Sequence, residues 1–196
     1  MKIIIIGIAA ATISFNACNT ASTSKDTSND STSENQQTSK VTADSAGADQ
    51  KPPAPIKEII AGYLHLKNAL ANDDSKAAAN AGDEIVQEIK KIDKSALSPE
   101  QRKVYEDVEG DANEHAEHIG SNGGNIKHQR EHFDILSKDM YDLVKAFGAG
   151  QTLYQDSCPM YNNKKGATWL SETKEIKNPY MGKEMATCGE VKEEIK

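Results

Sequence analysis

The sequence has few aromatic and apolar residues, and its acidic residues outnumber its basic ones. Aromatic residues make up 5% of its 196 residues, and apolar residues make up 37%. Its 23 Lys and Arg residues are interspersed among 30 Asp and Glu residues, so the net charge is −7. No basic face is therefore available to neutralise phosphates. We expect no nucleic-acid partner.

The motifs of the common enzyme classes are missing as well. The sequence has no HExxH pair for a zinc hydrolase, no Gly-rich phosphate loop and no cofactor motif. It shows no arrangement of a nucleophile with a base, and no CxxC pairing with histidine of the zinc or haem type. We therefore expect a protein that is not an enzyme.

Apolar residues are concentrated at the N-terminus. Residues 3–15, which follow Lys2, form an apolar stretch with the length of a signal h-region, too short to span a membrane as a mature helix. The next residues, Phe15-Asn16-Ala17-Cys18, resemble the lipobox of bacterial lipoproteins, in which a small residue precedes the lipidated cysteine. We predict a signal peptide at residues 1–17 and a lipid anchor at Cys18. An ordinary signal peptide with a chance cysteine is the alternative.

A polar segment follows the cysteine. Residues 19–50 are almost entirely Ser, Thr, Asn, Asp, Gln, Lys and Ala, which bury too little apolar area to offset the entropy of ordering. Residues 51–55, Lys-Pro-Pro-Ala-Pro, favour an extended entry into a domain. We predict a disordered tether at residues 18–55. The domain would then be held on the periplasmic face of the outer or inner membrane, in the cell envelope.

Four amphipathic segments with short connectors occupy residues 56–148. Each places apolar side chains three and four residues apart, the spacing of one buried helix face. The third begins at Ser98-Pro99-Glu100-Gln101, which predicts a capping box with proline in the first turn. Asn125 should cap the fourth, and Gly148 should end it. The pattern predicts an all-α domain, an up-down four-helix bundle.

The last part of the chain, residues 149–196, changes period and predicts a small irregular or β cap on the same domain. Loose alternation at residues 152–157 predicts a short strand, and the turn residues at 162–166 would let residues 167–170 pair back with it. Residues 185–188 are predicted as a single helical turn. Trp169, the only tryptophan, is expected to attach the cap to the bundle.

Two cysteines and two methionines lie in this cap: Cys158, Met160, Met185 and Cys188. Soft sulfur ligands select Cu(I), and also Ag(I), so together they predict a soft-metal site. If Cys18 carries lipid, however, an even pair of cysteines remains in an oxidising compartment, where a Cys158–Cys188 disulfide is the alternative. Such a bond excludes thiolate ligation and leaves the methionines to fill the core. The residues leave both possibilities open.

Four of the five histidines surround one connector: His115 and His118 before it, His128 and His132 after it. Spacings of three and four place each pair on one turn of a helix, and the connector returns the second pair to the same end of the bundle. Imidazole suits zinc, copper and nickel, so the group is a second candidate metal site. The alternative is that histidines near the end of the third helix complement its dipole.

The fourth helix and the cap also carry a family resemblance. The residues concerned are Gln129, Arg130, Phe133, Leu136, Ser137, Leu153, Tyr154, Cys158, Pro159, Met160, Gly166, Ala167, Trp169, Leu170, Ser171, Ile176, Asn178, Pro179, Tyr180, Gly182, Met185, Cys188 and Gly189. Through them the chain, over residues 56–191, resembles a domain family of unknown function. That family occurs as stand-alone envelope lipoproteins and as an extension on periplasmic adaptor subunits of heavy-metal (copper/silver) efflux systems.

The resemblance implies an accessory role in metal efflux or sequestration, with an efflux adaptor or pump as partner. Two positions depart from related patterns. Tyr161 stands close to the Cys-Pro-Met motif, where short heavy-metal-binding modules have a histidine, and Met181 replaces a Phe that is usual in the family. The histidine group is not part of the family pattern. A disulfide-stapled helical interaction module without metal is the alternative function.

Overall fold

A computed structural model describes residues 55–196 of the chain. The predicted signal peptide, the lipidation of Cys18 and the tether up to residue 54 lie outside the described residues. The described part contains four long helices: α1 Lys57–Ala71, α2 Ser75–Ile89, α3 Pro99–Ser121 and α4 Ile126–Phe147. A short 3₁₀ turn, Lys94–Ala96, connects α2 to α3. Among the helices of residues 55–196, none combines the length and the apolar character that a membrane span requires.

The helix ends follow the capping signals in the sequence. At the start of α3, the Ser98 hydroxyl accepts a hydrogen bond from the Gln101 N–H, and the Gln101 side chain accepts one from the Ser98 N–H, both at 3.2 Å. At the start of α4, the Asn125 side chain accepts from the His128 N–H at 3.3 Å. Gly148 ends α4 with a φ of 75°, which glycine adopts without steric cost. The four predicted helices are confirmed.

The predicted cap is a three-stranded antiparallel sheet with strand order β2-β1-β3, formed by β1 Leu153–Cys158, β2 Ala167–Ser171 and β3 Glu190–Ile195. The pairing of β1 with β2 is confirmed, and Cys158 lies opposite Ala167. The third strand, which the sequence pattern did not predict, pairs with the other edge of β1. A 3₁₀ turn covers Gly182–Met185, so it ends where the predicted helical turn was expected to begin.

The sheet packs on α1 and α4 through a buried network of tyrosines. The Tyr63 hydroxyl of α1 accepts a hydrogen bond from the Leu170 N–H of β2 at 3.0 Å, and it lies 2.9 Å from the Ser137 hydroxyl of α4. Tyr180 donates to the carbonyl of Thr168 at 2.7 Å. Trp169 is buried in the same core, as expected for the residue that attaches the cap. These contacts hold the sheet in a defined position on the helices.

Candidate metal centres

The two cysteines of the cap are brought together from positions that are distant in sequence. Cys158 is the last residue of β1 and is buried, whereas Cys188 is partly exposed and follows the 3₁₀ turn that precedes β3. Their Sγ atoms lie 2.9 Å apart as two free thiols. This separation places both sulfurs within reach of one metal ion, and it also lets them join as a disulfide without a large movement of the backbone.

The surroundings of Cys158 favour its thiolate form. Burial raises the pKa of this thiol, but hydrogen bonding with Cys188 and with other donors more than offsets this, so the pKa lies below its usual value. The other donors are the N–H groups of Met160 and Tyr161 and the side chain of Asn178. The hydrogen bond to Cys158, followed by burial, raises the pKa of Cys188. Of the two thiols, Cys158 is therefore the one that loses its proton first.

The two methionines lie at the surface and not in the core. The side chains of Met160 and Met185 are 44% and 37% exposed, respectively. Both are adjacent to the cysteines through the backbone: the Met160 N–H faces the Cys158 sulfur, and the Met185 carbonyl accepts the Cys188 N–H at 3.0 Å. The alternative assignment of these methionines as core filler is thus not supported by their exposure. Their side chains are accessible to solvent, two and three residues away in sequence from the cysteines.

Asn178 is a residue of this centre that the sequence analysis names only in the family resemblance and not as part of a site. It is fully buried, its side-chain oxygen accepts from the N–H groups of Tyr180 and Met181, and its amide donates to the Cys188 carbonyl at 2.6 Å. In the sequence it is followed by Pro179, a pair that indicates a turn and gives no sign of a contact with the cysteines. Its contact with both cysteines depends on the tertiary structure, which carries the turn over the end of β1.

The four clustered histidines also come together, where the end of α3 meets the start of α4. The Nδ1 atoms of His115 and His132 are 2.9 Å apart, and the Nε2 atoms of His132 and His128 are 3.2 Å apart. The rings of His118 and His132 stack with centroids 4.4 Å apart. One nitrogen from each of His118, His128 and His132 can be chosen so that all three lie within 4.8 Å of one another.

The helices hold this group on a rigid support. Between His128 and His132, the buried Gln129 donates to the carbonyls of Ser75 and Ile119, and its side-chain oxygen accepts from the Ser75 hydroxyl. Next to His132, the buried Phe133 stacks on Tyr63. The first two turns of α4 are thereby fixed against α1, α2 and α3.

Burial favours the neutral imidazole at two of the four histidines. Burial lowers the pKa of His115 and of His132 below the usual value, and for His132 the neighbouring histidines lower it further. Two carboxylates lie beside the group: Glu131 is 3.5 Å from His128 Nδ1, and Glu114 is 3.9 Å from His118 Nε2. Neutral imidazole is the form that binds a metal ion.

Comparison with known proteins identifies a domain but not an activity. Residues 59–152 match a family described as a protein of unknown function (DUF3347). The match covers the helical region with all four clustered histidines, and it ends before Cys158. This agrees with a resemblance to a domain family of unknown function. No curated protein and no solved structure matches the chain.

Proposed function

We propose that this chain is a lipid-anchored protein of the cell envelope that binds a soft metal ion such as Cu(I) through Cys158, Met160, Met185 and Cys188. One observation carries the proposal: two sulfurs lie 2.9 Å apart, and one of them has hydrogen bonds that favour its thiolate. Thiolate and thioether sulfur are the ligands that Cu(I) prefers. A metal ion binds the thiolate and not the thiol. Stabilising the thiolate therefore lowers the free energy needed to remove the thiol proton before the metal binds.

The hydrogen bonds at Cys158 argue against a cysteine that serves packing alone. A structural cysteine in apolar surroundings has a raised pKa and is inert. Here the pKa of Cys158 is lowered although the residue is buried, because hydrogen bonding with Cys188, and after it with the Met160 N–H, the Asn178 side chain and the Tyr161 N–H, outweighs the effect of burial. This arrangement is suited to holding negative charge next to a cation.

The exposure of the methionines adds to the argument. An exposed thioether costs hydrophobic free energy compared with a buried one. Two such residues, each within three positions of a paired cysteine, are consistent with capture of a soft ion at the surface. Cys188 is only partly buried, so an ion can approach the thiol pair from this side.

The envelope location and the role in efflux or sequestration rest on the sequence. The apolar N-terminal segment, Cys18 and the polar residues after it support anchoring through lipid. The resemblance to domains appended to efflux adaptors supports a heavy-metal efflux adaptor or pump as partner.

We include in the proposal that the four long helices run up and down as a bundle, since each packs mainly against its neighbour in sequence.

A second function is favoured by the same distance between the sulfurs. Oxidation of Cys158 and Cys188 would make the domain a disulfide-stapled interaction module without metal. An oxidising compartment favours this outcome. The two functions exclude each other at any moment, because a disulfide removes both thiolates.

The test uses the full chain, extracted from membranes without reductant, with free thiols and bound metals counted on the same sample. We expect thiols that are free or protected by metal, together with nearly one equivalent of copper. The Cys158→Ser, Cys188→Ser double variant should lose the copper, and Met160→Leu, Met185→Leu should bind it more weakly. Met140→Leu, which changes a methionine buried in α4, is the matched control and should bind normally.

Two results would contradict the metal proposal. One is a double cysteine variant that keeps full copper affinity. The other is a chain with two oxidised cysteines and no copper that, after anaerobic reduction, still fails to take up Cu(I) against a chelator. With unchanged metal tolerance on deletion, the latter result would establish the stapled module.

A further inference from the structure

The histidine group at the junction of α3 and α4 is separate from the sulfur centre in its residues and in its chemistry. We propose that His118, His128 and His132 form a second metal site, which binds a divalent ion of the zinc, nickel or copper(II) class through imidazole nitrogens. This inference does not rest on the proposed function, since it uses different residues and since imidazole suits zinc, nickel and copper(II), whereas thiolate and thioether together suit Cu(I).

The distances fit a shared ion. Two nitrogens bound to one tetrahedral ion at ordinary zinc–nitrogen bond lengths are about 3.3 Å apart. The Nε2 atoms of His128 and His132 are 3.2 Å apart, so these two residues are close to a chelating geometry. His118 is the most exposed of the three, with 47% of its side chain accessible, and binding would turn its ring from its stacked position toward the ion. A fourth position is left for water or a carboxylate.

The other ring nitrogens have partners that orient the ligands. His132 can donate its Nδ1–H to His115 Nδ1, 2.9 Å away, which leaves its Nε2 lone pair for the ion. His128 Nδ1 faces Glu131, 3.5 Å away, which likewise leaves Nε2 for the ion. Metal-binding histidines commonly donate the second N–H in this way, and such donation fixes the tautomer and the direction of the ring. We therefore assign His115 as a positioning residue and not as a ligand.

A favourable interaction with a helix dipole explains the position of only some of these histidines. A cationic histidine is favourable in the last turn of α3, where His118 lies. His128 and His132 lie in the first two turns of α4, at the positive end of its dipole, where a cation is unfavourable. Gathering these imidazoles within hydrogen-bonding distance of one another also places like charges together if they are protonated. Coordination by neutral imidazoles gives one reason for histidines on both helices, which the dipoles do not.

The test is calorimetric titration of zinc, and separately nickel, into the full chain at pH 7.5. We expect one equivalent to bind. His115→Gln should weaken binding about tenfold by removing an orienting partner, and His118→Gln, His128→Gln and His132→Gln should each weaken it further. His65→Gln is the matched control, because His65 lies on α1 beside Glu84, outside the group. Circular dichroism of every variant checks that helicity is retained.

Two further measurements identify the ligands without relying on those substitutions. Zinc should protect the clustered histidines of the unaltered chain, but not His65, from diethylpyrocarbonate. Cobalt bound in place of zinc should show no thiolate-to-metal charge-transfer band, and the Cys158→Ser, Cys188→Ser variant should keep its zinc affinity. The proposal is overturned if the chain binds no zinc or nickel, if the three ligand variants bind like the His65 control, or if cobalt shows thiolate ligation that the cysteine variant abolishes.

Discussion

Asp156 shows how strongly its surroundings change a single side chain. It lies in β1 opposite Trp169 and is fully buried. Burial raises its pKa to about 7, and the negative Glu172 adds to this, whereas the positive Lys67 opposes it. At neutral pH this carboxyl group is therefore partly protonated inside the fold. In the unfolded chain its pKa has the ordinary value of about 4, so the group is ionised at neutral pH.

Asp156→Asn should flatten the dependence of stability on pH. Because the folded pKa is the higher one, the folded state holds a proton that the unfolded state releases, so stability falls as pH rises from about 4 to about 7. The substitution should remove between about 1 and 4 kcal/mol of this decrease. Denaturant unfolding of the wild type and of Asp156→Asn at pH 5 and pH 8 measures this decrease in the free energy of unfolding.

Asp139 provides the comparison for that measurement. It lies on α4, and burial together with Asp111 and Asp142 raises its pKa to about 7. Asp139→Asn should reduce the slope independently, and the double substitution should reduce it most. If wild type and Asp156→Asn lose the same stability between pH 5 and pH 8, the buried carboxyl group is not responsible.

At the scale of elements, α2 and α3 approach each other closely because α2 has a glycine at the contact. A Cβ atom on Gly82 would lie 2.8 Å from the Ala116 carbonyl oxygen and 2.8 Å from the Gly120 nitrogen. Both are backbone atoms, which cannot move aside as a flexible side chain can. The absence of a side chain at Gly82 thus sets the separation of the two helices, and α3 carries half of the histidine group.

Gly82→Ala should destabilise the domain by about 1–3 kcal/mol, because the added methyl group forces the helices apart. Gly110→Ala is the matched control: it lies inside α3, and an added Cβ meets no atom within 4 Å. The control should stabilise by about 0.8–1 kcal/mol, the ordinary preference of a helix for alanine. Thermal or denaturant unfolding distinguishes the two, and equal effects would show that α2 and α3 have room to adjust.

At the scale of the whole molecule, the cysteine pair links the end of the central strand of the cap to the segment before its last strand. Cys158 lies on the central strand, and Cys188 lies just before β3, the last strand. A bond between them, covalent or through a metal ion, restrains the chain from the end of β1 to the start of β3. The oxidation state of this pair should therefore change the stability of the protein as a whole.

Oxidation to the disulfide should stabilise the full chain by roughly 3–4 kcal/mol, because it closes a loop of about 30 residues. The measurement is denaturant unfolding with and without reductant. The Cys158→Ser, Cys188→Ser variant should resemble the reduced protein under both conditions. Added Cu(I) should stabilise the reduced wild type but not this variant. A wild-type protein that is indifferent to reductant would show that the pair does not form this bond.

Much of the architecture follows from local sequence signals. The four helices were predicted from apolar spacing and from caps such as Ser98 and Asn125, and the β1–β2 hairpin from its turn residues. The strand β3 was missed, because Glu190–Ile195 is mostly charged and only its pairing with β1 makes it a strand. The spacing of the histidines predicted two pairs at one end of the helices, but not which rings would meet.

By itself, the sequence determined the helices, their ends and the residue types available for metal chemistry, because capping and helical periodicity act over a few neighbouring residues. Tertiary structure alone decided the 2.9 Å approach of the sulfurs and the donors around Cys158. It also decided that the Nε2 atoms of His128 and His132 lie close together, whereas His115 contacts the other ring nitrogen of His132, Nδ1. These arrangements join residues far apart in the chain, and their distances depend on how the helices and the sheet pack.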